Sequence, residues 1–177
     1  GVDGSGARRL TTAEASDSQA RWTPDGKALF FVSTRSGSSQ VWKIALDGGE
    51  AVQVTKLPLD VDALEVVPGG SRLLFSMAVV PGKSPAETKD ILEAKAKSKA
   101  SGMVFDKLFV RHWDTWDDGT RNHVFVYDLA AGTATDLLGA MDADCPTKPF
   151  GGSEDFAVSP DGTYVVFSAK DAGRAEA

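Results

Sequence analysis

The sequence has little of the two residue types that build most metal and thiol sites. Among its 177 residues there is one cysteine, Cys145, and there are two histidines, His112 and His123. A single cysteine excludes an internal disulfide, and no Cys-x-x-Cys pair is present for a zinc site. The histidines lack the spacing of a metal-binding helix. We therefore expect neither a metal ion nor a cofactor.

Further absences limit the classes of function. No apolar run reaches the roughly 18 residues of a membrane-spanning helix, and the longest, around residues 73–81, is broken by Ser76. The net charge of −6, from 19 basic and 25 acidic residues, opposes a nucleic-acid partner, which would need a basic surface. A G-x-S-x-G nucleophile elbow and a phosphate-binding loop are both missing. These residues thus predict no membrane span, no nucleic-acid binding and no hydrolase serine.

The sequence instead contains a repeat. Three segments, at residues 22–26, 66–70 and 158–162, place a proline and a glycine between two short apolar runs. Proline presets φ for a tight turn and glycine takes a positive φ, so each segment predicts strand, turn and strand. Of the prolines in these three segments, Pro24 and Pro68 lie 44 residues apart, and Pro68 and Pro160 lie 92 residues apart. Because a propeller blade takes about 40–50 residues, the second interval is either one blade with a long insertion or two poorly matched blades.

The first interval can be divided into strands. Residues 28–33 and 40–46 predict two of them, and Trp42, Ile44 and Leu46 share one face of the second at a period of two. The Asp-Gly-Gly sequence that follows predicts a hairpin turn before the last strand. This is the content of one four-stranded antiparallel blade.

The repeats predict an all-β fold, a partial β-propeller of four-stranded blades with one helical insertion. Residues 3–11 look like the turn and last strand of a preceding blade, which gives about two full and two partial blades. Blades cover each other's apolar faces around a ring that typically has four to eight members. We therefore expect residues 1–177 to be a fragment of a propeller.

The β pattern stops between residues 81 and 102. Ser-Pro-Ala-Glu at 84–87 is a capping box with proline at the first helical position, and residues 85–99 are good helix formers. We expect this insertion either to rest on the propeller rim as a solvated helix or to contact a neighbouring domain. Residues 103–113 then predict a strand, and residues 121–129 predict the returning strand. A short strand predicted at residues 133–138 completes the second blade.

Glu154 and Asp155 form a candidate binding pair. They stand directly before the strand that leads into the third repeat. If that strand is the innermost of its blade, its start faces the central tunnel or one rim of the propeller. Paired carboxylates there suit the positive α-amino group of a peptide. The alternative is an ordinary solvated loop.

Arg111 and Trp113 are further candidates for substrate binding. They belong to the run at 111–116, which is rich in large polar and aromatic side chains. The alternative is that its tryptophans fill gaps between blades, where large rings suit the packing. His112 and His123 are best interpreted as structural histidines on two paired strands.

These residues resemble a known family. The pattern W-x-P-D-G-K-x-L-x-F-x-S, followed by V-W-K-I-x-L-D-G-G-E, is similar to the propeller repeats of bacterial prolyl oligopeptidase-family serine peptidases, and TolB propellers share it. The runs at 106–116 and 148–152 look like the acylaminoacyl peptidase and dipeptidyl peptidase 5-like branch. The resemblance covers essentially the whole sequence.

The resemblance implies an N-terminal propeller followed by a C-terminal α/β-hydrolase domain, which is not present in residues 1–177 and would carry a Ser-Asp-His triad. Such an enzyme removes dipeptides or acyl-amino acids from peptide N-termini, and its propeller gates access and helps to anchor the substrate. Related dipeptidyl peptidases hold the substrate amine with a glutamate pair. Glu154 and Asp155 resemble that pair in kind, although one member is aspartate.

The same resemblance implies the partners. These are a peptide substrate and the remainder of the same polypeptide, with a homodimer as one option. It favours a periplasmic or secreted protein over a cytoplasmic one. The alternative function is a TolB-like propeller that binds a protein partner and has no peptidase activity. A G-x-S-x-G motif downstream of residue 177 would favour the peptidase.

Overall fold

The computed structural model describes residues 1–105 and 110–175, which form mainly antiparallel strands. In chain order the strands are β1 (Asp17–Trp22), β2 (Ala28–Ser33), β3 (Gln40–Ala45), β4 (Val52–Gln53), β5 (Asp62–Val66), β6 (Arg72–Val79), β7 (Arg111–His112), β8 (Thr115–Trp116), β9 (Arg121–Asp128), β10 (Thr133–Asp136), β11 (Ala143–Asp144), β12 (Phe156–Val158), β13 (Val165–Phe167) and β14 (Lys170–Asp171). The helices are α1 (Pro85–Lys97), a 3₁₀ helix at Ser153–Asp155 and α2 (Ala172–Ala175).

Two four-stranded antiparallel sheets carry the fold. Strands β1 to β4 lie side by side in chain order and form what we name the first blade. Strands β5, β6, β9 and β10 do the same and form the second blade. Strands β12 and β13 start a third repeat. The predicted partial propeller is thus confirmed, and the long second interval is one blade with an insertion.

The three repeats share one turn. Gly26, Gly70 and Gly162 each donate their backbone N–H to the carbonyl three residues earlier, at 2.8, 2.9 and 2.8 Å. Their φ angles are +67°, +71° and +71°, a region that side chains with a Cβ rarely adopt. The glycines of the sequence pattern are therefore required by the turn.

The first strands of both blades also share a bulge. Gln19 in β1 and Ala63 in β5 have φ of +54° and +49°, and the pairing register shifts at both places. Each residue stands five positions before the proline of its turn. The Gln19 side chain accepts a hydrogen bond from the Leu64 amide at 2.7 Å. The repeated irregularity therefore joins the first strand of one blade to that of the next.

The second blade is buried on both faces. One face packs on the first blade in a core that includes Phe30 and Val41 of the first blade and Phe75, Met77 and Phe125 of the second. The opposite face packs under the third repeat, and this second core includes Leu74, Val124, Cys145 and Phe156. Strand β6 is therefore apolar at nearly every position, as a strand covered on both sides must be.

Two strand predictions differ from the structure. Strand β6 pairs directly with β9 along its whole length, from Arg72 opposite Asp128 to Val79 opposite Arg121. The second blade thus has its four strands without residues 103–113. Of those residues, 103–105 and 110 are not in a strand, Arg111–His112 forms β7 in a separate hairpin, and 106–109 lie outside the described residues. Residues 3–11, expected to contain the last strand of a preceding blade, form no strand with the rest of the described chain.

The segment between β6 and β9, residues 80–120, is longer than the predicted insertion at 81–102. Helix α1 begins as expected, with the Ser84 hydroxyl accepting from the Glu87 amide and the Glu87 carboxylate accepting from the Ser84 amide. Strands β7 and β8 then form a separate hairpin. His112 and His123 consequently do not lie on paired strands, since β7 pairs with β8, and β9 pairs with β6 and β10. No helix within the described ranges is long and apolar enough to cross a membrane.

Candidate substrate-binding face

Asp155 holds a loop in place. Its carboxylate accepts hydrogen bonds from both the amide and the hydroxyl of Thr147, each at 2.7 Å. Thr147 belongs to the segment 145–152, which we name the 145–152 loop, and its carbonyl accepts from the Gly151 amide at 2.7 Å. The Asp155 carboxylate is therefore used within the protein and positions this loop.

Glu154 is the exposed member of the predicted pair. Among the described residues no hydrogen bond or ion pair engages its carboxylate. It follows Ser153, whose hydroxyl accepts from the Arg21 guanidinium at 3.0 Å, and Arg21 also pairs with Glu65 at 2.8 Å. This chain of contacts joins β1, β5 and the 3₁₀ helix before β12, the starts of three successive repeats. Glu154 thus lies beside the first strands of three successive repeats.

Arg111 and Trp113 lie on the β7–β8 hairpin. The Arg111 guanidinium carbon is 5.4 Å from the centre of the Trp116 ring, and Phe105 stacks on Trp116 with ring centres 5.7 Å apart. The Trp113 ring meets Phe150 of the 145–152 loop edge-on at 5.5 Å. Trp113 and Trp116 are 72% and 48% exposed. Both rings are therefore exposed within residues 1–177.

A cavity of about 340 Å³ separates the hairpin from the 145–152 loop. Its walls include Arg111, Trp116, Arg121, Asp144, Lys148 and Pro149. The structure therefore brings Arg111 and Trp113 to one side of the loop, while Asp155 fixes its base. The runs at 106–116 and 148–152, which carry the family resemblance, meet here in their described parts.

A charged network forms the floor of the cavity. Asp144 is nearly buried, and its carboxylate lies 3.5 Å from the Arg121 guanidinium and 3.8 Å from the Lys148 ammonium. It also accepts from the Asn122 amide at 2.8 Å. Arg121 pairs in addition with Asp142 at 2.7 Å. Because a buried carboxylate needs such partners, this network is tied to the packing of β9 against β11.

Asp118 lines the cavity and is contacted by helix α1. Burial raises the pKa of Asp118, but hydrogen bonds from the Thr120 hydroxyl and amide, with the nearby Lys148 and Lys95, outweigh it and hold the pKa below its usual value. The Lys95 ammonium donates to the Asp118 carbonyl at 2.7 Å. The predicted helix is therefore connected directly to the candidate site.

Sequence reasoning missed Trp116, Arg121 and Asp144 as members of this face. Arg121 begins the long strand β9 and Asp144 ends the short strand β11, and no local pattern shows that they pair across 23 positions. Trp116 was visible in the run at 111–116, but not its contact with Arg111. Within residues 1–105 and 110–175, no group of three or more His, Cys, Asp or Glu side chains could hold a metal ion.

The sequence of this chain is similar to segments of several known proteins. No family model matches it. Dipeptidyl-peptidase 5 of Porphyromonas endodontalis is 32% identical over 171 residues, which are 95% of this chain and 24% of that protein. The same-named protein of Porphyromonas gingivalis is 31% identical over 172 residues, 96% and 24% of the two chains, and that of Aspergillus fumigatus is 29% identical over 181 residues, 93% and 25%. The chain therefore spans about a quarter of the length of these relatives.

Solved structures give weaker likenesses. TolB of Acinetobacter baumannii has a TM-score of 0.48 at 16% identity, over 93% of this chain and 36% of that one. Acylaminoacyl peptidase of Pyrococcus horikoshii has a TM-score of 0.46 at 18% identity, over 79% and 19%. Scores of this size add no conclusion, so the relation is carried by the sequences. The resemblance expected from the residues is confirmed: this chain is related, over almost its whole length, to one segment of the dipeptidyl-peptidase 5 proteins.

Proposed function

We propose that this chain is the non-catalytic propeller part of a serine exopeptidase that removes dipeptides or acyl-amino acids from peptide N-termini. The observation that carries this proposal is the 32% identity to a dipeptidyl-peptidase 5 over 95% of the chain, which spans 24% of that relative. The rest of the same polypeptide would supply the Ser-Asp-His triad in an α/β-hydrolase domain.

The substrate's amino group binds at Glu154 in this proposal. Its carboxylate is exposed beside the chain of contacts that joins Arg21, Glu65 and Ser153. An ionised carboxylate and an ammonium group make a charge-assisted hydrogen bond, which is stronger than a neutral one. Asp155 contributes by holding the 145–152 loop through Thr147. The predicted acidic pair thus divides into a binding residue and a positioning residue.

The β7–β8 hairpin and the 145–152 loop gate access to the substrate chamber. They meet through exposed aromatic rings at Trp113 and Phe150. Such a contact buries little surface and opens at low cost, as a gate requires. Helix α1 supports the gate through the hydrogen bond from Lys95 to the carbonyl of Asp118.

The proposal is tested on the full-length polypeptide that contains this chain. It is incubated with peptides, with chromogenic dipeptide substrates and with acyl-amino-acid substrates, and products are identified by mass spectrometry. We expect dipeptides or acyl-amino acids to be released from N-termini by the full-length protein and not by residues 1–177 alone. Release by the isolated 177-residue chain, or none by the full-length protein, would contradict the proposal. In the latter case a protein-binding propeller becomes the better explanation.

A further inference from the structure

The charged side chains that line the cavity beside the β7–β8 hairpin differ in whether they have a partner of opposite charge or a hydrogen-bond partner within the protein. Its three carboxylates are all engaged within the protein. Asp117 accepts from the Gly119 amide at 2.8 Å, and Asp118 accepts from the Thr120 amide and hydroxyl at 2.9 and 2.7 Å. The third, Asp144, is the buried group on the cavity floor. Because each carboxylate already accepts hydrogen bonds within the protein, the cavity is not a good cation site.

Arg111 differs from these groups. Among residues 1–105 and 110–175, no carboxylate pairs with its guanidinium, which lies over the face of the Trp116 ring. A guanidinium that stacks on a ring keeps its in-plane N–H donors for a second partner, and their fork matches a carboxylate. Phe105 stacks on Trp116 as well, so the ring that carries Arg111 has a second aromatic contact.

The size and walls of the cavity indicate what kind of ligand could bind there, namely a small molecule or part of a peptide. A volume of about 340 Å³ is at the lower end for ligand pockets, so it suits one or two amino-acid residues and not a folded partner. Trp116 and Pro149 supply apolar walls. A carboxylate next to an apolar group therefore fits both the free donors and the walls.

We infer that the Arg111 cavity binds a carboxylate of the peptide substrate, supplied either by the peptide's free C-terminus or by an acidic side chain. The inference rests on the proposed function, which makes a peptide the substrate. It adds a second charged contact of opposite sign to the one at Glu154. The protein would then recognise a short peptide by its amino group and by a carboxylate further along the chain.

The test uses the full-length protein and four peptides that differ only in charge. Two have a neutral sequence and end in a free carboxylate or an amide, and two carry one glutamate after the cleaved bond with the same two ends. We expect kcat/KM to be about tenfold higher for peptides that offer the favoured carboxylate. Preference for the free acid identifies the C-terminus as the source, and preference for the glutamate peptides identifies the side chain.

Variants connect this preference to the cavity. Arg111→Gln should abolish it, Arg111→Lys should keep part of it because the charge stays and the fork is lost, and Trp116→Leu should weaken it. Arg9→Gln, a change at an exposed arginine, is the matched control and should leave it intact. Because Arg111 is exposed, folding should be unaffected, which circular dichroism checks.

Two outcomes would overturn the inference. One is equal kcat/KM for all four peptides, and the other is a preference that survives Arg111→Gln. If no peptide is cleaved at all, the proposed function fails, and calorimetric binding of the same four peptides decides the inference separately. Tighter binding of a carboxylate-bearing peptide that is lost in Arg111→Gln supports it, and equal binding contradicts it.

Discussion

In each blade a buried polar side chain of the third strand contacts the chain at the end of the fourth strand or just after it. The chemical type of this side chain differs between the two blades. In the first blade Gln40, opposite Ser33, is buried, and its amide accepts from the Thr55 hydroxyl at 2.9 Å and the Leu57 amide at 2.8 Å. In the second blade His123 occupies the corresponding place, opposite Met77. The same buried position is therefore filled by a neutral amide in one blade and by an ionisable ring in the other.

The His123 ring has an acceptor at each nitrogen. Nδ1 lies 2.8 Å from the Asp136 carboxylate, and Nε2 lies 3.2 Å from the Met141 carbonyl. A neutral ring can donate to one of them, and a doubly protonated ring can donate to both. The comparison shows that the repeat keeps a buried polar contact at this place, although a neutral amide makes it in one blade and an imidazole paired with a carboxylate makes it in the other.

The blades differ also in the connection between their second and third strands. Strands β2 and β3 are joined by residues 34–39, and strands β6 and β9 by residues 80–120. In both blades the two strands stay paired up to the connection, which starts beside the Ser33–Gln40 pair in the first and the Val79–Arg121 pair in the second. The entropic cost of closing a loop rises slowly with its length. The connection between the second and third strands can therefore carry a long insertion that contributes to the candidate site, while the strand pairing of the blade stays the same.

The largest expected effect is a loss of stability, and it compares a residue of the core between the two blades with a residue of the candidate site. Phe75→Ala removes a fully buried ring that packs on Tyr127 between the two blades, and we expect a loss of about 3–5 kcal/mol in the free energy of unfolding. Phe150→Ala, at a ring that is 72% exposed, should cost about 0.5 kcal/mol or less. Urea unfolding measures both. Equal losses would contradict the assignment of the core to the contact between blades.

The next effect concerns binding. Glu154→Gln in the full-length protein should raise KM for peptides with a free amine by about ten- to a hundredfold, because a charge-assisted hydrogen bond is lost. Substrates with an acylated amine should be little affected. Glu50→Gln, at another exposed glutamate, is the control. An unchanged KM for free-amine peptides would remove Glu154 from the binding site.

The smallest effect tests the pH response of the second blade. Burial raises the pKa of Asp136, but hydrogen bonds from His123 and from the amides of Leu138 and Gly139 outweigh it and hold the pKa below its usual value. A carboxyl whose pKa is lowered on folding stabilises the fold above its unfolded pKa, near 4, and this stability is lost as the pH falls through the folded pKa. Asp136→Asn should therefore cost about 1–2 kcal/mol at pH 7 and less as the pH falls below about 4.

The measurement is the free energy of unfolding in urea at a series of pH values. The matched variant in the first blade, Gln40→Leu, removes a neutral contact, so its cost should be the same at neutral and acid pH. A cost of Asp136→Asn that does not change with pH would show that the carboxylate is not held by the contacts described here.

Local patterns in the sequence predicted the parts of the fold that local chemistry determines. Pro24 with Gly26 specified the repeated turn, and Ser84 with Glu87 specified the start of α1, because neighbouring residues form both structures. The assignment of residues 103–113 to the second blade was wrong, since β6 pairs directly with β9 and Arg111–His112 belongs to a separate hairpin. The bulge at Gln19 depends on a contact with the following blade, and no short pattern encodes that contact.

The candidate site was predicted only in part for the same reason. Glu154, Asp155, Arg111 and Trp113 were identified one segment at a time, and their binding roles stay predictions. The sequence did not show that Thr147 engages Asp155 and leaves Glu154 exposed. Contacts between segments so far apart in the chain depend on how the second blade folds, and they are visible only in three dimensions.

One measurement tests most directly the claim that the second blade is complete without its insertion and that the insertion serves the site. In the full-length protein, residues 81–119 are replaced by Asn-Gly, a two-residue turn that suits the strand ends at Val80 and Thr120 beside the Val79–Arg121 pair. Circular dichroism, thermal unfolding and peptide cleavage are then recorded. We predict a folded β protein whose kcat/KM for peptides is at least about tenfold lower. An unfolded protein, or one with unchanged cleavage, would contradict the account.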